Sequence, residues 1–335
     1  MNRKIPVLLC GVAIFAACVF SLRRPQTASP PPVARAYQKA ETIEVAFDAE
    51  RAFALLKAQC DFGPRHNGSA AHEKTAAFLA EQMRPLMDEW TTQKWNQKIA
   101  RGPGAGRTFA MTNLLGIIRG TEDENKKLTD LRPALMLSAH WDTRPVADQD
   151  TNPRNRKTPI VGANDGASGV AVVLEIARVL HEKKPRQTIV FALWDGEDLG
   201  EFFYGAKHFA LLSKTPVWKS WKPVRGILLD MVGDADLQIT REQNSMKLAP
   251  ELWEEVQDAA TELDKSEFFN GAPMNVLDDH IPLNQAGIPT IDLIDFNYPH
   301  WHTLEDTPDK CSPESLKIVG DVVLRVIENN GKTKV

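Results

Sequence analysis

Residues 188–198 read Thr188-Ile189-Val190-Phe191-Ala192-Leu193-Trp194-Asp195-Gly196-Glu197-Asp198. Thr188 to Leu193 is a short apolar run rich in β-branched and aromatic residues, which predicts a buried strand. It stops at a Gly-containing turn that carries acids. In an open α/β sheet, ligands bind outside the carboxyl ends of the strands. A strand ending in two adjacent acids therefore aims negative charge at the crevice. Neighbours on an extended segment point to different sides. One carboxylate can bind a metal while the other stays free for proton transfer.

Working outward, other short apolar runs lie at 112–118, 133–139, 224–231 and 288–294, each bounded by turn residues. They predict further strands. An alternating segment at 90–100 adds another. Helical spacing is read at 47–60, 70–87, 203–212, 250–263 and 312–327, and in the stretch following Asn164-Asp165-Gly166 through Leu180. Ser69 and Ser312 stand as N-caps. Strands alternating with helices predict one α/β domain with a mostly parallel central sheet and helices on both faces.

That domain is read as residues 43–335. Residues 1–24 hold a positive start (Arg3-Lys4) and an uncharged apolar run from Ile5 to Leu22. Such a segment is a cleaved export signal, an uncleaved membrane anchor or a lipoprotein signal. All three place the domain outside the cytoplasm, periplasmic or extracellular, soluble or tethered. Residues 25–42 are rich in Pro and Ala and read as a linker. Of four cysteines, Cys10 and Cys18 lie in the N-terminal segment. Cys60 and Cys311 remain, and an oxidising compartment predicts a disulfide between them. With 25% charged residues and a net charge of −4, the 335-residue chain has no basic signal for nucleic acid.

His140/Asp142, Asp165, Glu197/Asp198, Asp230 and His302 all fall at strand ends or in the loops that follow. Singly, each has a bland explanation: Asp165 in Asn-Asp-Gly suits a turn, and Asp142 a loop cap. Together they are harder to dismiss. Asp230 sits inside the apolar run Ile227-Leu228-Leu229-Asp230-Met231-Val232, and a buried carboxylate is expensive unless paired, protonated or bound to metal. A His and carboxylate cluster suits Zn²⁺, without any need for cysteine.

His140-Trp141-Asp142, Gly162-Ala163-Asn164-Asp165, Gly196-Glu197-Asp198, Leu229-Asp230 and Trp301-His302-Thr303 resemble, in order, the metal-binding motifs of the zinc aminopeptidase-like family. That family includes the animal-type glutaminyl cyclases. Asp278-Asp279-His280-Ile281-Pro282, Trp301 before His302, and Tyr204-Gly205-Ala206-Lys207-His208 resemble the cyclase branch in particular. The resemblance implies that Asp165, Asp198 and His302 bind one Zn²⁺ and that Glu197 is the general acid/base. It implies an acidic network of Asp230 and Asp278, and a pocket lined by Trp301. The peptidase branch implies a second zinc held by His140 and Asp230, with Asp165 bridging. Animal cyclases carry His where Asp292 stands, and commonly Glu where Asp198 stands.

The expected function is therefore glutaminyl-peptide cyclotransfer, with zinc aminopeptidase as the alternative. A peptide or protein with N-terminal Gln is the expected partner, and a monomer the expected state.

Overall fold

The computed structural model describes residues 47–330. The N-terminal segment and the whole linker lie outside the described residues. Among the described residues there are eight strands: β1 Glu89–Lys98, β2 Thr108–Ile118, β3 Leu135–His140, β4 Ile189–Trp194, β5 Arg225–Asp230, β6 Arg241–Glu242, β7 Pro273–Met274 and β8 Thr290–Ile294. The helices are α1 Ala49–Cys60, α2 Ala70–Met83, α3 Ala167–Glu182, α4 Tyr204–Leu212, α5 Gln243–Leu248, α6 Pro250–Glu262, α7 His280–Gln285 and α8 Pro313–Asn330. Asp48 caps α1 by accepting from Arg51 N, and Ser69 caps α2 by accepting from His72 N. Removing either side-chain oxygen would cost about 1 kcal/mol.

Six strands form one sheet in the order β1-β2-β4-β3-β5-β8. The sheet is mixed. β3, β4, β5 and β8 run parallel, whereas β1 pairs antiparallel with β2, and β2 antiparallel with β4. Chain length explains the difference. The turn from β1 to β2 spans only residues 99–107, too few for the crossover that a parallel pair requires. The segment from β3 to β4 contains the whole of α3, which provides that crossover.

Side-chain alternation along the parallel strands makes two cores. Leu135, Leu137 and Ala139 of β3, with Phe191 and Leu193 of β4, face a large apolar cluster that includes α1, α3, α6 and α8. Met136 of β3, with Val190, Ala192 and Trp194 of β4, faces a second cluster with Ala206 and Phe209 of α4 and Leu283 of α7. Helices thus cover both faces, and strands buried on both sides read as continuous apolar runs. α3 packs so closely on the sheet that Gly169 leaves no space for a methyl group.

The expected disulfide is not formed. Cys60 and Cys311 are both free and buried. Each packs into the large apolar cluster as a small apolar side chain. Burial pushes the Cys60 thiol up to about 11 and the Cys311 thiol well above its usual range.

Candidate functional site

Because β3, β4 and β5 are parallel, their carboxyl ends lie at one edge of the sheet. β3 ends in His140 and β5 in Asp230, and the two side chains meet with Nε2 3.1 Å from Oδ1. Asp165 sits in the turn before α3. Its Oδ1 is 3.2 Å from His140 Nε2, and its Oδ2 is 3.3 Å from His302 Nε2. Asp198, in the turn after β4, completes the cluster with Oδ1 3.0 Å from His302 Nε2. Asp165 thus offers one oxygen to each histidine.

Backbone geometry sets these positions. Gly196, with φ +79°, turns the chain after β4 so that Glu197 and Asp198 follow at once. The Asp142 carboxylate caps this turn, accepting from Glu197 N at 3.0 Å and Asp198 N at 3.3 Å. Gly166, with φ +102°, lets the Asp165 turn approach Asp142 O, where a Cβ would stand 2.7 Å away.

The residues fit a zinc ion. Ligand atoms about 2.1 Å from a tetrahedral ion stand about 3.4 Å apart. The Asp165, Asp198 and His302 contacts lie at 3.0 and 3.3 Å. Asp165 Oδ2 and Asp198 Oδ2 are buried without a hydrogen-bond partner, the condition a cation would relieve. His140, Asp165 and Asp230 form a second triangle of the same size.

The electrostatics point the same way. Burial opposes charge on His302, but Asp198, Asp148 and Asp165 outweigh it and push the imidazole up to about 11. His140 is likewise raised by Asp230, Asp142 and Asp165 against its burial. This surplus of negative charge favours a divalent cation, which binds the imidazole in its neutral form.

Glu197 is 7% exposed and stands beside the cluster. Burial, then Asp198 and Asp278, raise its proton affinity well above the usual carboxylate range. Asp278 is buried close to Asp230, and its Oδ2 has no hydrogen-bond partner. Burial and the Asp230 charge push it up to about 7. Trp301 is partly exposed and stacks on His302 with ring centroids 4.0 Å apart.

The model of peptidase family M28 matches residues 116–327. This chain belongs to peptidase family M28. Bacterial glutaminyl cyclases are among the solved structures it resembles. With Bacteroides thetaiotaomicron glutaminyl cyclase bound to N-acetylhistamine the identity is 32% and the TM-score 0.75. That match covers 84% of this chain and 98% of that one. A leucine aminopeptidase precursor from the same organism matches at 32% identity and a TM-score of 0.73, over 84% of this chain and 97% of that one. A probable zinc metalloprotease of Pyrenophora tritici-repentis is 29% identical over 172 residues, 48% of this chain and 33% of that protein. The chain spans about a third of the length of that curated relative.

In this M28 site, the fold brings together every residue expected to act there: Glu197, Asp278, Asp230, Asp165, Asp198, His302, His140 and Trp301. Several supporting residues escaped sequence reading. Asp306, fully buried, accepts from Asn164 N and Asp165 N and from the Tyr298 hydroxyl, fixing the turn that carries Asp165. His72 and Asn67 donate to Asp195 at the head of the acid turn. Asp292, by contrast, is marked in the sequence as standing where animal cyclases carry His; it is buried with both carboxylate oxygens unpartnered, 3.8 Å from His280 Nδ1. Burial, then Asp278 and Asp230, raise its proton affinity well above the usual range. Arg144 and Asp148 lie in the polar loop after β3, where nothing in the local pattern marks them. An Asp-rich loop beside a histidine motif was the one signal available.

Proposed function

We propose that this M28 chain is a zinc-dependent glutaminyl-peptide cyclotransferase, closing N-terminal Gln to pyroglutamate with release of ammonia. The observation that carries this reading is that Asp278 is buried beside Asp230 with an unpartnered carboxylate oxygen. Two neighbouring buried carboxyl groups disfavour ionising together. Asp230 is thereby drawn into an acidic network beside Glu197, as the cyclase resemblance implies. Its oxygens are correspondingly less available to a second metal.

Asp165, Asp198 and His302 would hold one zinc ion. When bound, it would supply a Lewis acid for the γ-carbonyl of the substrate glutamine. Glu197 would take a proton from the α-amine as its nitrogen bonds to the γ-carbon. It would return that proton to the γ-amide nitrogen as the C–N bond breaks and ammonia leaves. Its raised proton affinity suits both halves of that task. The Asp230–Asp278 pair, beside it, holds a proton and offers negative charge to an amine. Trp301, stacked on His302, offers a flat face to the short glutamine side chain, and ring closure gains from such positioning.

The His140, Asp165 and Asp230 triangle favours a second reading, a two-zinc aminopeptidase in which Glu197 accepts a proton from water. One experiment separates them. The purified chain is incubated with Gln-peptides and with a leucine anilide. Ammonia from the first, without cleavage of the second, supports the cyclase; the reverse outcome refutes it. We place the enzyme outside the cytoplasm, on the reading of residues 1–24 as an export signal or tether.

A further inference from the structure

His302 presents Nε2 to Asp165 and Asp198, and its other ring nitrogen faces away from them. That nitrogen, Nδ1, is buried with no hydrogen-bond partner, and Asp148 Oδ1 stands 3.3 Å from it. Arg144 holds Asp148 in place with two bonds, Nε to Oδ1 at 3.2 Å and Nη2 to Oδ2 at 2.7 Å. The remaining Arg144 nitrogen, Nη1, donates to the main-chain oxygen of Asp198 at 3.2 Å. One guanidinium therefore touches one zinc-ligand residue directly and reaches the second through Asp148.

The clamp is built rather than incidental. The Arg144 side chain is only 8% exposed. The ring of Phe202 covers its guanidinium at 4.9 Å, and Phe202 adopts φ +62°. A phenylalanine in the left-handed region is costly unless surrounding contacts hold it there. The same loop ties down the backbone of the His302 segment. Gln149 N donates to His302 O at 3.2 Å, and Leu304 N donates to Asp150 Oδ2 at 3.2 Å. These bonds brace His302, itself at φ +53°.

We propose that Asp148, oriented by Arg144, is the positioning residue for the zinc ligand His302. At 3.3 Å it is the acceptor within reach of Nδ1–H, and accepting that proton donation would fix the tautomer with its lone pair on Nε2 and raise the basicity of that nitrogen. Arg144 couples this to Asp198, so that two of the three ligands are held as one unit. Partners of this kind are worth about 10- to 100-fold in metal affinity. The inference rests on zinc at Asp165, Asp198 and His302, and not on which reaction follows.

The test is zinc affinity, measured by competition with a chromophoric chelator on the purified chain. Asp148→Asn keeps shape and removes the charge, and Arg144→Gln removes the clamp. Both variants should bind zinc 10- to 100-fold more weakly. Their zinc-free melting temperatures should stay within a degree or two of the parent. The double variant should lose less than the two single losses combined, because the residues act in series. Parent-like zinc affinity in Asp148→Asn overturns the proposal. So does an equal loss of melting temperature with and without zinc, which would mark a merely structural role. A parent chain that binds no zinc would overturn the ligand assignment along with it. Failure of the Gln-peptide assay alone would leave these measurements unaffected.

Discussion

Replacing Gly169 by alanine tests whether helix packing sets the spacing of the metal cluster. Gly169 lies in the first turn of α3, where an added Cβ would stand 2.1 Å from Leu229 O and 3.0 Å from Leu229 C. Both are backbone atoms of β5 and cannot rotate away. Reaching a tolerable 3.0 Å would require α3 and β5 to part by roughly 0.9 Å. That separation falls between Asp165, just before α3, and Asp230, just after Leu229. It also moves Asp165 from its 3.3 Å contact with His302 Nε2, which Asp198 Oδ1 meets at 3.0 Å, and so opens the Asp165, Asp198 and His302 set. Metal–ligand distances tolerate only about 0.2 Å. Alanine would otherwise favour the helix by up to about 1 kcal/mol, whereas forced overpacking costs about 1–3 kcal/mol. The expected net loss is about 1–2 kcal/mol, which lowers the melting temperature of a domain this size by about 2–8 °C. Zinc affinity should fall at least tenfold. Calorimetry with and without chelator, together with zinc competition, measures both. A variant as stable as the parent, with parent-like zinc affinity, would refute the claim that this close contact spaces the ligands.

Glu197→Gln should lower kcat by about 10²- to 10⁴-fold while zinc content stays at the parent level. Its melting temperature at pH 8 should hold or rise, because burial, Asp198 and Asp278 disfavour the Glu197 charge. Substantial residual turnover would remove Glu197 from its role. Asp295, 1% exposed, is pushed by burial up to about 6. A raised acid contributes stability that is full below about pH 4 and is lost as pH rises through about 6. Relative to Asp295→Asn, the parent should therefore lose about 2–3 kcal/mol between pH 4 and 6 and then level off. Urea titrations across that window that show no difference would refute the assignment. Chelation of zinc should lower the melting temperature, and re-addition at about 100 times Kd should restore about 2.7 kcal/mol. Absence of any zinc-dependent shift would argue against the ligand set.

Much of this architecture is legible in the chain alone. The central strands are buried on both faces, so their apolar runs stand out, and helix periodicity is strong where one face is wet. The chemical residues fall where strands end, which is where an α/β sheet places its ligands. Glu197 and Asp198 were legible for that reason, and the acids and histidines of the other motifs with them. Asp142 is instructive: beside His140 in the chain it had a bland reading as a loop cap. In the structure its carboxylate caps the backbone of the acid turn.

Which side chains answer one another is set by packing between distant segments. The antiparallel β1–β2 edge follows from a short turn, and alternation alone does not distinguish it from a parallel strand. Cys60 and Cys311 are free and packed as apolar groups, because burial and compartment do not by themselves join two thiols. The Arg144–Asp148 clamp joins loops more than 150 residues apart along the chain. Charged loop residues look alike in sequence, and only packing shows which of them is turned inward. The division of labour in the acid turn has the same origin. Asp198 meets His302 because α3, β4 and the loop after β8 converge at one sheet edge. Glu197, one residue earlier, is buried near enough to Asp278 to feel its charge.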